Sequence, residues 1–268
     1  MHDVNGPVIA EFRANRGRVG GWFADARLLL LTTTGARTGA RRTVPLGYLP
    51  DGDGRVLVIG SAGGAPRDPA WAHNLRANPR ATVESGGLTY EVTAVELIGA
   101  ERDAAFARAA EADPGWAAYQ ERAGRTLPVF ALEMLPGPPA GSPAEVLRAV
   151  HEVFRRELEL IRGEATAGGP TIGAQLRINC LTLCAGLGNH HAGEDEVLFP
   201  HLADRFPEAE PLIARLRADH ERTAALVADL RAALDGEPAD VVAEVDRLSA
   251  ELLRHLADEE AWLLPLLE

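Results

Sequence analysis

The stretches His190-His-Ala-Gly-Glu194 and His255-Leu-Ala-Asp-Glu259 share one pattern, in which a glutamate follows a histidine by four residues. Both stretches lie in segments with helical periodicity. An α-helix turns once in about 3.6 residues, so each pair directs two donor atoms from one helix face. Each pair also follows a lone helical histidine, at His151 and at His220. A bundle that brings these faces together would enclose a pair of metal ions, and we therefore predict a dinuclear metal site in the C-terminal half.

The chain of 268 residues is long enough for two domains, each with a core of its own. Prolines and glycines crowd the stretch Leu135-Pro-Gly-Pro-Pro-Ala-Gly-Ser-Pro143, which indicates a linker over residues 136–142. Strand-like runs dominate before this linker, whereas the sequence after it has helical periodicity throughout. We therefore predict one domain over residues 1–135 and a second over residues 143–268.

The composition narrows the class of protein. The formal net charge of −12 argues against a general nucleic-acid binder. No apolar stretch is long enough for an integral membrane segment, and no secretory signal is present, so we expect a cytoplasmic protein. The two cysteines, Cys180 and Cys184, are expected to be buried as small hydrophobic side chains rather than to form a redox pair.

The C-terminal half contains four amphipathic segments separated by glycine- or proline-rich turns, at residues 143–163, 172–204, 208–234 and 238–266. Long helices joined by short connections form an antiparallel bundle. Counting from the turns, at about 1.5 Å per residue, places the histidines and glutamates in one layer. Imidazoles and carboxylates together suit iron, manganese or zinc. Any one of these histidines could be an ordinary polar or core residue, but a pattern repeated in register favours a metal site.

The two stretches, extended to His190-His-Ala-Gly-Glu-Asp-Glu-Val-Leu-Phe-Pro200 and His255-Leu-Ala-Asp-Glu-Glu-Ala-Trp-Leu-Leu-Pro265, resemble the hemerythrin-like (HHE cation-binding) family. The similarity covers nearly all of residues 143–268. It implies a four-helix bundle with a non-haem di-iron centre, and hence two iron ions. The ligands that it implies are His151, His190, Glu194, His220, His255 and Glu259.

One departure from this family bears on the chemistry. Oxygen-carrying members have a second histidine four residues from the one on the third helix, whereas this chain has Leu216 and Ala224 on either side of that histidine. Six protein ligands instead of seven leave an extra open position, which favours oxygen, peroxide or nitric oxide chemistry, or sensing, over oxygen storage. His191 could substitute, but it projects about 100° away from His190, so we expect it behind the ligands or on the surface. His201 is expected at the surface.

The N-terminal half contains many short strand-like runs and few helical segments, which suggests a small barrel. The predicted strands are residues 28–34, 43–49, 56–61, 81–84, 88–97 and 129–132.

Two segments of this half can bind a cofactor. Glycines, hydroxyls and arginines in Thr32–Arg42 can hold a phosphate or polycarboxylate tail, although a plain hairpin turn with solvated arginines would look the same. The segment Gly60-Ser-Ala-Gly-Gly64, with the helix that follows from Pro69, would let a flat ring approach the backbone. Its alternative is a simple strand–helix connection with Trp71 in the core.

Together with Trp116-Ala-Ala-Tyr-Gln-Glu-Arg-Ala-Gly-Arg-Thr-Leu-Pro128, these segments resemble the deazaflavin (coenzyme F420)-dependent nitroreductase and quinone reductase family, over about residues 8–135. The family has a split β-barrel and uses coenzyme F420 rather than FMN. The resemblance places around the coenzyme Gly35, Arg37, Thr38, Arg42, Ser61, Ala62, Gly63, Trp71 and Asn74. The catalytic residues that it implies, including the substrate side of the pocket, are Ser61, Trp116 and Tyr119. The predicted fold is thus multidomain α+β, an N-terminal split β-barrel followed by an antiparallel four-helix bundle.

Within this second resemblance the chain departs from the family at four places. The family has basic residues where this chain has Ala36 and Ala62, so we expect weaker affinity for the coenzyme tail. Asp113 and Trp116 stand where nitro-activating members carry tyrosines, which argues against nitro compounds as substrates.

The activity implied is hydride transfer from the reduced coenzyme to a quinone-like or other electron-poor acceptor, beside a di-iron domain that handles oxygen, peroxide or nitric oxide. The alternative is an iron- or oxygen-sensing protein in which the bundle regulates the barrel. Analogy with split-barrel proteins, which often pair through their sheets, suggests a homodimer.

Overall fold

The computed structural model describes residues 5–52, 54–137, 140–167 and 171–268. The chain divides into two compact units. The first is Met1–Ala140 with Gly173–Asn179, and the second is Gly141–Ile172 with Cys180–Glu268. The main division falls inside the predicted linker, of which Pro138 and Pro139 lie outside the described residues. Asp53, Gly168, Gly169 and Pro170 lie outside them as well.

A closed barrel of antiparallel strands forms the first unit, as the sequence predicts. Its strands are β1 (Leu28–Thr34), β2 (Arg41–Pro50), β3 (Val56–Ile59), β4 (Arg80–Ser85), β5 (Leu88–Glu96) and β6 (Val129–Met134). Around the barrel they follow the order β1-β2-β3-β6-β5-β4, and the β1–β4 pairing closes it. The helices of this unit are α1 (Asn5–Ala14), α2 (Ala70–Ala77), α3 (Gly99–Ala112) and α4 (Gly115–Ala123).

Strand β1 is buried on both faces, which explains its four consecutive leucines. Successive side chains of a strand point to opposite faces. Leu29 and Leu31 therefore join the core that contains Trp71, whereas Leu28 and Leu30 pack with Phe12 of α1. A strand covered on both sides has no polar face, so the sequence shows a continuous apolar run instead of an alternating one.

The second unit consists of helices, as predicted. They are α5 (Pro143–Ala167), α6 (Ala174–Gly193), α7 (Phe199–Arg205), α8 (Glu210–Ala233) and α9 (Pro238–Leu267). The first turns of α6, residues 174–179, are assigned to the first unit. A reciprocal capping box starts α5, because the backbone N–H of Ser142 donates to Glu145 and that of Glu145 donates to the Ser142 hydroxyl. Arg148 of α5 pairs with Glu268 and Arg162 with Asp246, so α5 and α9 are antiparallel.

Two helix boundaries differ from those predicted. Helix α5 continues through Gly163 to Ala167, because one helical glycine costs only about 1 kcal/mol and packing can supply that. The segment predicted as one helix over residues 172–204 contains a turn of π-helix at Glu194–Leu198, between α6 and α7. Pro200 has no N–H for the carbonyl four residues earlier, and its ring clashes there, so a wider turn accommodates it.

The metal-site residues of α9 lie on the same stripe as its core residues. Val241, Val245, Leu248 and Leu252 are fully buried, and the same helical spacing continues to His255 and Glu259. The stripe therefore carries both polar residues into the interior of the bundle. Among the described residues, no helix is both long and apolar enough to span a bilayer.

Candidate metal centre and coenzyme site

Two buried glutamates lie at the middle of the second unit, and imidazole nitrogens surround them. Glu259 Oε1 is 3.3 Å from His220 Nε2 and 3.4 Å from His255 Nε2. Glu259 Oε2 is 3.4 Å from His151 Nε2. Glu194 lies 3.5 Å from His220 Nε2 through Oε2. The Nε2 atom of each of these imidazoles thus faces a central carboxylate.

The donor atoms form two groups, each compact enough for one cation. The first group consists of His151, His190, Glu194 and Glu259, and the second of His191, His220 and His255. Within each group the donor atoms lie within 4.8 Å of one another. All six residues expected from the sequence are therefore brought together, and His191 joins them.

The structure contradicts a surface position for His191 and places its donor atom close to those of His220 and His255. Only 7% of His191 is exposed, and its ring stacks on that of His220 with centroids 4.0 Å apart. The predicted turn of about 100° away from His190 is correct for a helix, but α6 has neighbours on two sides. His190 contacts the rings of His151 and Phe154 on α5, while His191 faces α8. The angle of about 100° between these successive residues therefore directs His191 towards a second neighbouring helix and not into solvent.

Three carboxylates that the sequence analysis missed lie near the outer nitrogens of these histidines, and Glu260 is hydrogen-bonded to His151. His151 Nδ1 is 2.9 Å from Glu260, His220 Nδ1 is 3.1 Å from Asp195, and His255 Nδ1 is 3.7 Å from Asp219. Each carboxylate is in turn close to arginine: Arg155, Arg217, and the pair Arg222 and Arg254. A carboxylate bonded in this way fixes an imidazole with its proton on Nδ1, so Glu260 would leave Nε2 of His151 as its ligand atom. The signal was present, since each acid is the sequence neighbour of a predicted ligand.

Burial and the neighbouring charges together set the protonation states of this cluster. Burial lowers the pKa of His190 to about 3 and that of His255 to about 4, so both are neutral near pH 7. Burial opposes protonation of His151 as well, but the nearby Glu259 and Glu260 raise its pKa. Burial and the neighbouring Glu259 raise the pKa of Glu194. Burial opposes ionisation of Glu259 too, but the nearby imidazoles of His151 and His220 lower its pKa. Neutral imidazoles are the form that binds metals, and a cation could replace the proton that Glu194 retains.

The residues present fit a metal. Several buried polar atoms have no hydrogen-bond partner among the described residues: both carboxylate oxygens of Glu194, both ring nitrogens of His255, Glu259 Oε2 and His191 Nε2. Each unsatisfied buried group costs about 1–3 kcal/mol, and such a concentration of them in one place requires an explanation. Cations at the two groups would satisfy them. Nitrogen and oxygen donors without thiolates match iron, manganese or zinc.

In the barrel, the turn between β1 and β2 carries the predicted tail-binding residues. The backbone N–H of Gly35 donates to the Ala40 carbonyl at 2.9 Å, and Gly39 has a φ of +69°, which favours glycine. Arg37 and Thr38 are exposed at the tip, and Arg42 is exposed on β2. Two exposed guanidinium groups thus lie in and beside this turn.

Asn74 braces this turn from α2. It accepts a hydrogen bond from the Ala36 N–H at 3.0 Å and donates one to the Thr33 hydroxyl, also at 3.0 Å. Asn74 is buried, and its two hydrogen bonds position the turn. Trp71 lies in the core, where its ring meets that of Phe130 edge-on at 5.6 Å. For Trp71 the structure therefore matches the alternative that the sequence left open.

The loop after β3 has an unusual backbone. Ala62, Gly63 and Gly64 have φ values of +47°, +63° and +82°, in the left-handed region. A Cβ on Gly63 would meet nothing within 4 Å, so its face is open. Ser61 precedes these residues, and its carbonyl accepts a hydrogen bond from the Gly64 N–H. The loop therefore exposes backbone where the sequence predicted that a ring approaches.

Two arginines that the sequence analysis did not single out hold this loop. Arg122 donates to the Gly63 carbonyl at 3.3 Å, and its guanidinium lies 5.3 Å from the centre of the Tyr119 ring. Arg125 donates to the carbonyls of Gly60 and Arg67 and pairs with Asp68 at 2.6 Å. Trp116 and Tyr119 meet edge-on at 6.2 Å on α4. The predicted substrate-side aromatics therefore lie on the helix that braces the predicted ring-binding loop.

Comparison with known proteins agrees with both resemblances. The family model described as F420H(2)-dependent quinone reductase matches residues 7–134, and the hemerythrin HHE cation binding domain matches residues 142–267. An F420H(2)-dependent quinone reductase of Mycobacterium tuberculosis is 38% identical over 129 residues, which are 46% of this chain and 85% of that protein. A solved structure of an F420-H2 dependent reductase is 40% identical, covers 40% of this chain and 94% of its own, and has a TM-score of 0.37. The chain therefore belongs to the F420H(2)-dependent quinone reductase family, as a deazaflavin-dependent oxidoreductase that also carries a hemerythrin HHE domain.

Proposed function

We propose that the barrel transfers hydride from reduced coenzyme F420 to a quinone-like acceptor, and that the bundle holds two iron ions at which oxygen, peroxide or nitric oxide reacts. The observation that carries the proposal for the bundle is the pair Glu194 and Glu259, buried among imidazoles that point their Nε2 atoms inward. For the barrel, two observations support the proposal. Exposed arginines lie in and beside the turn between β1 and β2, and the loop after β3 has three consecutive residues with positive φ values.

The barrel residues bind and orient. Arg37 and Arg42 would pair with the phosphate and carboxylates of the coenzyme tail, since guanidinium groups match both geometries. The open face at Gly63 would admit the deazaflavin ring, with Ser61 and Ala62 beside it. The coenzyme itself supplies the hydride. Tyr119 or Ser61 would deliver the proton that a quinone needs to become a hydroquinone.

Oxidation of reduced coenzyme F420 by menadione, followed anaerobically by the absorbance of the oxidised deazaflavin, tests the barrel. In the double variant Arg37→Ala, Arg42→Ala we expect KM for the coenzyme to rise at least about tenfold, because a hydrogen bond to a charged group contributes about 1.5–3 kcal/mol. Arg80→Ala removes an equally exposed arginine from β4 and should leave KM unchanged. An unchanged KM in the double variant would show that the tail binds elsewhere.

Arg125 is expected to affect the rate of quinone reduction by positioning the loop after β3, without contacting the acceptor. Arg125→Ala frees the Gly60 and Arg67 carbonyls and removes one partner of Asp68, so the loop under the ring should shift. A displacement of about 1 Å can cost about a hundredfold in rate, and we expect kcat to fall more than KM for menadione rises. Arg125→Lys keeps the positive charge but lacks the forked guanidinium group that reaches several carbonyls at once. It should therefore recover only part of the lost kcat. Equal kcat for Arg125→Ala and the wild type would contradict this role.

In the bundle, His151, His190, Glu194 and Glu259 would hold one metal ion, and His191, His220 and His255 the other. Both glutamates also lie within 3.5 Å of His220 Nε2, in the second group. Two iron ions there would supply one-electron redox steps and open positions for small oxidants. Glu260 would hold His151 with Nε2 facing inward, and Asp195 and Asp219 lie 3.1 Å and 3.7 Å from the Nδ1 atoms of His220 and His255. Metal analysis of the purified chain, with an absorption spectrum, tests this part, and a chain that binds no transition metal would exclude it.

A further inference from the structure

Arg122 of α4 is held at the edge of the loop that follows β3. One of its N–H groups donates to the Gly63 carbonyl at 3.3 Å, and its guanidinium lies 5.3 Å from the centre of the Tyr119 ring. A Cβ on Gly64 would lie 2.9 Å from Arg122 Cδ, so the stem of the arginine side chain runs against the loop backbone. These contacts place a positive charge beside both Gly63, whose face is open, and Tyr119.

The protein does not neutralise this charge. Three arginines nearby in the chain each pair with a carboxylate: Arg102 with Asp103, Arg108 with Asp51, and Arg125 with Asp68. Arg122 has no carboxylate partner among the residues that the structure describes. A guanidinium carries several N–H donors in a fixed fork, and the Gly63 carbonyl accepts from one of them. Since Arg122 is exposed, its remaining donors are open to a ligand.

Two aromatic rings precede the arginine on α4. Trp116, Tyr119 and Arg122 follow one another at intervals of three residues, which makes each the neighbour of the next on the helix surface. Both aromatic side chains are half-buried, and their rings meet edge-on at 6.2 Å. Aromatic rings that end at an unneutralised cation match a flat ligand with negative charge on an oxygen.

Reduction of a quinone by hydride transfer produces a ligand of this kind. The hydride carries one hydrogen and an electron pair to the quinone, and the negative charge that results resides on an oxygen of the hydroquinone monoanion. A proton from Tyr119 or Ser61 then gives the neutral hydroquinone. A fixed cation at the oxygen on which charge develops stabilises the transition state of such a step.

We propose that Arg122 belongs to the acceptor site and pairs there with the acceptor oxygen that becomes negative. The site would therefore select planar aromatic oxyanions over neutral rings of the same shape. This inference rests on the proposed function, because that function supplies the quinone and places it beside Tyr119. It adds a residue that contacts the acceptor and a preference for charge.

Two naphthoquinones of nearly equal size test this preference. In 2-hydroxy-3-methyl-1,4-naphthoquinone, a hydroxyl that is ionised at neutral pH replaces one methyl group of 2,3-dimethyl-1,4-naphthoquinone. Equilibrium dialysis against the full chain with oxidised coenzyme F420 measures the Kd of each, and no hydride is available for transfer. We expect the wild type to bind the hydroxyquinone about fivefold more tightly, which is about 1 kcal/mol and the upper range for an ion pair at an exposed arginine.

Substitutions of Arg122 separate a role of its charge from support of the loop. Arg122→Gln should remove the preference, whereas Arg122→Lys, which keeps the charge, should retain part of it. Arg80→Gln removes the same charge from an exposed position on β4 and should leave the ratio of the two Kd values unchanged. If Arg122 only supported the loop, Arg122→Gln would weaken both ligands alike and preserve the ratio. That result, or a wild type without preference for the hydroxyquinone, overturns the inference.

Menadione reduction by the same wild-type sample distinguishes this inference from the proposed function. A wild type that reduces menadione but shows no preference for the hydroxyquinone contradicts only the role of Arg122. A wild type that neither binds coenzyme F420 nor reduces menadione contradicts the proposed function, and the inference with it.

Discussion

Replacing Glu259 by alanine is expected to abolish metal binding by the bundle. Glu259 is fully buried, and its two oxygens lie within 3.4 Å of Nε2 atoms of His151, His220 and His255. No other carboxylate among the described residues is that close to three of the imidazoles, so the Glu259→Ala substitution would leave both groups without a shared anion. A metal that binds only the folded state at about a thousand times its Kd stabilises it by about 4 kcal/mol.

The measurement is iron content after anaerobic reconstitution, together with the midpoint of thermal unfolding, Tm, with and without iron. We expect the wild type to gain iron and a higher Tm, and Glu259→Ala to gain neither. Glu244→Gln is the control on the same helix, because Glu244 pairs with Arg247 away from the cluster and such surface pairs contribute at most about 1 kcal/mol. Two iron ions in the Glu259→Ala variant would show that the shared-carboxylate arrangement is wrong.

The gathering of the six predicted residues could be anticipated because local periodicity determines which face of a helix each residue occupies. On α9 the spacing of Val245, Leu248 and Leu252 continues to His255 and Glu259, so one stripe encodes both core and site. The barrel was equally readable, since turn glycines separate its strands. Helical periodicity and turn glycines both involve residues that are close together in the chain. They can therefore be recognised from the sequence alone.

The missed or misplaced residues depend on tertiary neighbours. The face of α6 on which His191 lies could be predicted from the sequence. The sequence did not show that α8 packs against that face. Asp219 and Glu260 look like members of a solvated acidic face until Arg254 and Arg155 are found across the helix interface. Arg125 reaches carbonyls more than fifty residues away in sequence, which no local pattern indicates.

His191→Leu gives the sharpest separation between a ligand and a packing residue. Leucine is similar in size to histidine but offers no donor atom, so the group of His191, His220 and His255 would lose one of its three imidazoles. The other group keeps His151, His190 and both glutamates. We therefore expect iron content to fall from two to one per chain.

The stability of the metal-free chain should move in the opposite direction. His191 Nε2 is buried without a partner among the described residues, and such a group costs about 1–3 kcal/mol. Leucine removes this cost, so the metal-free Tm of His191→Leu should equal or exceed that of the wild type, while its gain in Tm on iron binding shrinks. His201→Leu, at an exposed position on α7, should change neither iron content nor either Tm. Two iron ions in His191→Leu, with a lower metal-free Tm, would identify His191 as a packing residue, because only a ligand combines weaker metal binding with an undiminished apoprotein.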